Sequence, residues 1–511
     1  MHAASQDPEP TDAYTNRKGT MTTLSTVRTR RHRLLVGGQW IDPTAGETAV
    51  LLSPATGQPV AEVAAAGPAD VDQAVRQAAE AFERHRWRTP FERAREMERV
   101  ADVIDRRRDE IAADLVLEHG KPLAEALGEV ASAASGFRLA AAEARRLTGD
   151  TIPVEDPRKR VMTFRQPRGV VVAITPWNFP INIPVEYVGP ALASGNAVIL
   201  KPAPTTAGIA ALLAECIVEA GVPDGLFSLL TGPSVEMASA LVQHPDVVVV
   251  GFTGSSAVGA AIGRLAAGKE VVMELGGNGP IIVLEDADRD RAIAAIGAAA
   301  FFNAGQSCAA AERIIVSGNV HDWLVDGLVE VARGIELGDP REATTTMGPV
   351  NNEGVAAKMD AHVNDARERG ATVAHGGRRM PDQPTRLFYE PTVLARVPDG
   401  AAVTREETFG PIAPVSVFSD DRALLAAANA SSLGLSSAVF TKDLDRAFWF
   451  AERLQTGQVT VNDTSNYWEL HLPFGGWAGK SSGRGRVGGR HIFEAMTQVR
   501  SVAFDVGGGP G

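Results

Sequence analysis

The chain has 511 residues, 44% hydrophobic and 22% charged, with a formal net charge of −12. That length exceeds one simple core and implies two or more domains, while the acidic balance argues against nucleic acid and anionic membrane, which are bound largely through Lys and Arg. Two cysteines cannot build a disulfide framework, so a reducing, cytoplasmic setting is expected.

Residues 1–33 are polar, rich in Thr and Arg and without periodicity, and read as a disordered extension with Met21 as an alternative start. The Arg30-Arg31 pair is followed by no apolar segment long enough for a signal core. From Ala69 to Arg146, apolar residues recur at three- and four-residue spacing between many charges, which predicts helices. Gly149 to Gly169 carries Pro153, Pro157 and Pro167 and reads as extended. The chain then alternates: "GVVVAIT" and "NAVILKP" are strand-like, "TAGIAALLAECIVEAG" helix-like, "FSLLTG" and "VVVVGFTG" strand-like again. Near-continuous apolar strands alternating with helices predict a doubly wound α/β fold with a parallel sheet. A second α/β stretch runs from Gly279 to about Ser437. The longest uncharged apolar run, Ala292 to Phe302, falls far short of the ~20 residues of a membrane span.

Ligands of such sheets bind at the carboxyl ends of the strands. There the sequence places Trp177-Asn178, Lys201 and Gly254-Ser255, the last opening "GSSAVG", a strand-to-helix turn with free N–H groups. Cys216 lies in an amphipathic helical pattern and reads as core. Cys308 is different, with Gly305, Gln306 and Ser307 before it and Ala309 and Ala310 after; a reactive thiol needs such room. Glu274 precedes a Leu-Gly-Gly bend and suits a base in a cleft, a turn cap or a partner of Lys269. The ten histidines show no metal-ligand spacing, so no metal is expected.

"PWNFP" (176–180), "KPAP" (201–204), "FTGS" (252–255), "ELGG" (274–277), "GQSC" (305–308), "EETFGP" (406–411) and "PFGG" (473–476) occur in this order. The set resembles the aldehyde dehydrogenase superfamily, from about Leu34 to Asp505. The resemblance implies a Rossmann-type coenzyme domain (34–148 and 166–276), an α/β catalytic domain (277–485) and a β oligomerisation arm (149–165 and 486–511) of a homodimer or homotetramer. It implies Cys308 as nucleophile, Asn178 as oxyanion donor and Glu274 as the base that hydrolyses the thioester. Relatives that pass the acyl group to coenzyme A generally lack a carboxylate at that position, so a free acid is the expected product. NAD or NADP as co-substrate would meet Trp177, Lys201, Pro204, Gly254, Ser255, Gly259, Glu407 and Phe409.

Many family members carry a Glu three residues after the lysine, where this chain has Pro204. Losing that carboxylate removes a repulsion toward a 2′-phosphate, so both coenzymes are expected to be usable. "KPAPTT" and "VNDTSNYWELHLPFGG" are similar to the subgroup acting on benzaldehyde- and vanillin-type substrates, which makes an aromatic aldehyde the expected substrate and a semialdehyde or aliphatic aldehyde the alternative. Trp468 and Tyr467 then serve as tunnel walls or pack between subunits. Ser307 and Glu186 are further candidates for substrate contact, and Glu186 with the absence of Arg in the Val461 to Gly476 loop disfavours anionic aldehydes.

Overall fold

The structure, a computed structural model, describes residues 30–507. The periodic stretch forms four helices, Pro68–His85, Pro90–Arg106, Arg108–His119 and Leu123–Ala144. Their buried faces are built largely from Ala and Val, with Met97, Ile104, Leu115 and Phe137 as the large inserts. Small residues on facing stripes let helix axes approach closely. The second helix starts with Thr89 as N-cap and Glu92 closing a capping box, with Pro90 at the first position.

These helices cover an eight-stranded sheet with order Gly483–Arg484, Glu270–Glu274, Val247–Thr253, Val170–Ile174, Ala197–Lys201, Phe227–Leu229, Leu34–Val36 and Gln39–Ile41. The inner five strands are parallel. Val170–Ile174 and Ala197–Lys201 are buried along their whole length, which is why their sequences are apolar without alternation. Strand order reverses between Val170–Ile174 and Val247–Thr253, opening a crevice beyond their carboxyl ends.

A second sheet of seven strands, in the order Thr372–His375, Thr392–Ala395, Ile412–Phe418, Arg313–Ser317, Pro280–Val283, Ser436–Phe440 and Gln458–Val461, forms the other α/β unit. The two sheets are joined at a short link: Glu274 ends one strand and Pro280 begins the next. A third sheet pairs Lys159–Pro167 antiparallel with Thr497–Asp505 over nine residues, with Thr151–Ile152 at its edge. Phe164, Val499 and Phe504 stand exposed on it.

Two sequence boundaries are corrected. Residues 30–33, placed in the disordered extension, begin the ordered chain: Arg30–His32 pairs with Pro59–Ala64, and Arg30 is held by Glu110 and Asp114. Residues 1–29 lie outside the described residues. Residues 486–496, assigned to the arm, instead carry the helix Gly489–Met496, whose Ile492, Phe493 and Met496 are sealed into the first domain's core.

Candidate active site

Cys308 follows a turn in which Asn303, Ala304 and Gly305 all have positive φ, 54°, 52° and 69°. Such a conformation is strained for Ala, and side chains hold it. Asn303 Nδ2 donates to the carbonyls of Asn178 (3.0 Å) and Gln306 (3.2 Å), and Gln306 Nε2 returns a bond to the Asn303 carbonyl at 2.9 Å. Gln306 Oε1 accepts the Asn351 N–H at 2.8 Å. The turn therefore presents the thiol on a fixed platform.

Glu274 is held from both sides, in register with Thr253 on one strand and Gly483 on the other. Its carboxylate is buried, Oε1 has no partner, and it faces the Cys308 thiol. Lys269, its alternative partner, donates to the His244 carbonyl instead. Burial pushes Glu274 up to about 8, against a hydrogen bond from Cys308, with the charge of Glu407 adding to the rise. Burial and then Glu274 raise the Cys308 thiol well above its ordinary value. The link between the domains passes directly over this pair: a Cβ on Gly277 would stand 1.9 Å from the Cys308 carbonyl oxygen.

Asn178 gives one side-chain N–H to the Gln306 carbonyl at 3.1 Å, which leaves its second N–H free. Its own carbonyl is held by Asn303 and by Lys121 Nζ at 3.0 Å. Lys121 is buried, pairs with Glu129 at 2.6 Å, and lies 4.5 Å over the Phe179 ring. The other Glu129 oxygen accepts the N–H groups of Ile181 and Asn182 at 3.1 and 3.2 Å, where the helix Asn182–Ser194 begins.

A cavity of about 260 Å³ joins Asn178, Glu274 and Cys308 to Trp177, Gly254, Ser255, Leu275, Glu407 and Phe409. Ser255 is the N-cap of the helix Ser256–Leu265. Gly259 is where that helix lies against Leu275, which a Cβ would strike at 2.5 Å. Glu407 accepts the Gly277 N–H at 2.9 Å, and burial raises it to about 7. Lys358 Nζ binds the Glu407 carbonyl at 3.1 Å. Phe409, at φ 62°, meets Trp177 edge-on with ring centroids 5.5 Å apart. Its conformation is fixed by Glu312, a buried carboxylate that accepts the N–H groups of Thr408 and Phe409. On the adjacent strand end Lys201 is buried, lowered to about 8 by that burial, and no carboxylate pairs with it among the described residues. Pro204 starts the 3-10 turn that follows.

The residues along these strand ends suit a nicotinamide dinucleotide. The Gly254-Ser255 turn and helix N-terminus suit a pyrophosphate, the unneutralised Lys201 suits a ribose hydroxyl or phosphate, and Glu407 offers a ribose acceptor next to the aromatic pair.

The other candidates do not line this cavity. The Ser307 hydroxyl donates to Asn466 Oδ1 at 2.8 Å, tying the thiol turn to the 462–468 loop. Trp468 packs toward Phe474 at 6.3 Å with its Nε1 buried and unpartnered. Tyr467 is 43% exposed and donates to Glu469 at 2.7 Å. Glu186 is half-buried, within 3.4 Å of Asn182 Nδ2, and raised by burial and by Glu274. Cys216 is fully buried, with burial raising its thiol to about 12. Among the described residues no cluster of His, Cys, Asp and Glu could hold a metal ion.

A thiol, a buried carboxylate and a free amide N–H thus converge on one cavity, and the family model for "Aldehyde dehydrogenase family" matches residues 40–502. The chain belongs to the aldehyde dehydrogenase family. It is 39% identical to glutarate-semialdehyde dehydrogenase of Pseudomonas aeruginosa, over 94% of this chain and 99% of that one. It is 38% identical to an Escherichia coli succinate-semialdehyde dehydrogenase named for NADP(+), over 93% and 98%. The solved NAD-dependent aldehyde dehydrogenase of Sinorhizobium meliloti matches with a TM-score of 0.91 at 36% identity, covering 95% of this chain and 97% of that one. As an aldehyde dehydrogenase the chain is an NAD(P)-dependent oxidoreductase. The benzaldehyde- and vanillin-type reading is corrected: these relatives are named for semialdehydes, and Tyr467 faces the surface rather than the thiol.

The residues that sequence reasoning missed support the named ones: Lys121, Glu129, Asn303, Glu312 and Lys358.

Removing one partner of a buried pair strands the other charge, which costs about 3 to 5 kcal/mol. Lys121→Met is therefore expected to lower stability by that amount, and adding Glu129→Gln, which removes the stranded charge and keeps an acceptor for the Ile181 and Asn182 N–H groups, to recover much of it. Urea unfolding of the two variants and the parent checks this.

Proposed function

We propose that this aldehyde dehydrogenase oxidises an aliphatic aldehyde to the free carboxylic acid. The supporting observation is the facing pair of Cys308 and Glu274 under the Gly277 link, with Asn178 beside it. Cys308, its proton released to solvent, adds to the aldehyde carbon as the thiolate. The Asn178 side-chain N–H receives the developing oxyanion; one such donor is worth about 100- to 1000-fold in rate. When bound, the coenzyme supplies the hydride acceptor that takes the thiohemiacetal to a thioester. Glu274 then draws a proton from the water that hydrolyses it, and the acid departs. Trp177, Gly254, Ser255, Lys201, Glu407 and Phe409 hold the coenzyme, with Pro204 leaving the lysine unneutralised. The relatives' names favour short aldehydes with a polar far end over aromatic ones. The paired strands Lys159–Pro167 and Thr497–Asp505, with apolar side chains exposed, support assembly into a homo-oligomer.

Glu274→Gln is expected to lower kcat by about 100- to 10,000-fold while leaving a first-turnover burst near one NAD(P)H per site, read by stopped flow at 340 nm. Loss of the burst with kcat would move Glu274 to the acylation step. In the parent, activity rises with pH through about 8, as Glu274 ionises from its raised value. A rate already level well below that pH contradicts the assignment.

With no carboxylate near Lys201, NAD and NADP are expected to differ by less than about a thousandfold in kcat/KM, or roughly 4 kcal/mol. Titration of each coenzyme measures the ratio. A chain ending at Met496 is expected to run as a smaller species than the full chain in sedimentation, and equal sizes would remove the arm from assembly.

A further inference from the structure

A buried tyrosine reaches the wall of the thiol cavity through one threonine. Tyr187 lies on the helix Asn182–Ser194 and is sealed from water. Its hydroxyl meets Thr253 Oγ1 at 2.7 Å, the one hydrogen bond that either oxygen makes among the described residues. The strand beneath makes room for the ring: a Cβ on Gly251 would stand 2.4 Å from Tyr187 Cδ1. A strand interior that ordinarily disfavours glycine therefore carries one here. Gly251 and Thr253 are two residues apart on the strand Val247–Thr253 and share a face of the sheet. The ring lies over the first and the hydroxyl arrives at the second.

Thr253 in turn is paired in parallel register with Glu274, and register partners raise their side chains from the same face. Thr253, Glu274 and Cys308 all line the cavity of about 260 Å³. There Glu274 Oε1 is buried and without a partner. Lys358 and Thr408, also in that cavity, are turned to the Glu407 carbonyl and to His362. A phenol is a stronger acid than an aliphatic alcohol, so Tyr187 donates and Thr253 Oγ1 accepts. The Thr253 proton is then left to find an acceptor, and the unpartnered Glu274 oxygen stands on the adjacent strand.

The resting partner of Glu274 is the Cys308 thiol, and a thioester has no S–H to give. Resting on the proposed aldehyde oxidation, we infer that Tyr187 aims the Thr253 O–H at the Glu274 carboxylate and its attacking water, holding the base in place while the thioester is hydrolysed. In that step the water oxygen bonds to the acyl carbon and one water proton passes to Glu274. The C–S bond breaks, and its electron pair leaves on sulfur. Formation of the thioester needs neither hydroxyl, so the effect is confined to the second half of the cycle. Tyr187 touches no substrate and is a positioning residue. A buried hydroxyl pair in which each oxygen has one place to bond is rigid enough for that task.

The test follows butanal oxidation by full-length protein with the two halves of the cycle resolved. Stopped flow at 340 nm reads the NAD(P)H burst, and intact-protein mass after acid quench reads the acyl group on Cys308. In Tyr187→Phe the burst is expected to keep its rate and its amplitude near one per site. Decay of the acyl-enzyme is expected to slow about tenfold, the worth of one hydrogen bond to a charged group. Thr253→Val is expected to slow that decay at least as much, and Thr253→Ser to stay within about threefold of the parent. Combining Tyr187→Phe with Thr253→Val is expected to be no slower than Thr253→Val alone, because the tyrosine acts through the threonine. Unchanged decay in Tyr187→Phe, additive losses in the double variant, or a burst slowed as much as the decay overturns the inference, while Cys308-dependent turnover leaves the aldehyde oxidation standing. Should Tyr187→Phe fail to fold, equal decay in Thr253→Val and Thr253→Ser overturns it instead. A parent without a burst that Cys308→Ala abolishes removes the proposed oxidation and this inference together.

Discussion

The Lys121 ammonium is the contact on which the site depends most widely. It is sealed from water, bound to Glu129 and to the Asn178 carbonyl, and through them it joins three segments. The helix bearing Glu129 packs on the helix Asn182–Ser194, the Asn178 turn follows the strand Val170–Ile174, and Asn303 carries the contact on to the thiol turn. Buried ion pairs add little net stability compared with apolar packing. What this one contributes is position: every polar group around Lys121 has one place to go. The free Asn178 N–H is aimed as a consequence.

Around that cation the chemistry is dominated by acids held without cations of their own. Glu186, Glu274, Glu312 and Glu407 are all raised from the usual carboxylate range, with burial as the leading cause. Two of them are occupied with backbone: Glu312 fixes Thr408 and Phe409, and Glu407 takes the Gly277 N–H. Glu274 lines the cavity with Cys308 instead. Folding these charges inward is expensive, and they persist where strained backbone at Ala304 and Phe409 is also retained, as expected of a site shaped for reaction rather than for stability.

Strands with both faces buried, such as Val170–Ile174, were legible because burial on both sides writes a continuous apolar run. Helices such as Pro90–Arg106 were legible because one buried stripe repeats at helical spacing. Cys308, Glu274 and Asn178 could be named because each stands in a short motif whose small neighbours make room for it. Lys121 and Glu312 could not, since the backbone each one fixes is distant in sequence: Lys121 holds a carbonyl 57 residues on and Glu312 a turn 96 residues later. The edges of the arm were misjudged for a related reason. The helix Gly489–Met496 is short, and only the packing of Ile492, Phe493 and Met496 shows that it belongs to the core. The aromatic loop misled because Tyr467 and Trp468 are neighbours in sequence yet point to solvent and to Phe474 respectively.

The burial of Cys216 makes the molecule carry its own counter. With one sulfur sealed in the core and the other part-exposed at the cavity, a small alkylating reagent has a single address, Cys308. Reagent consumed per chain then reports the fraction of protein whose site is correctly assembled, independent of any substrate. The same chemistry converts a ligand-binding question into a rate of labelling, because whatever fills the cavity beside the thiol must slow its capture.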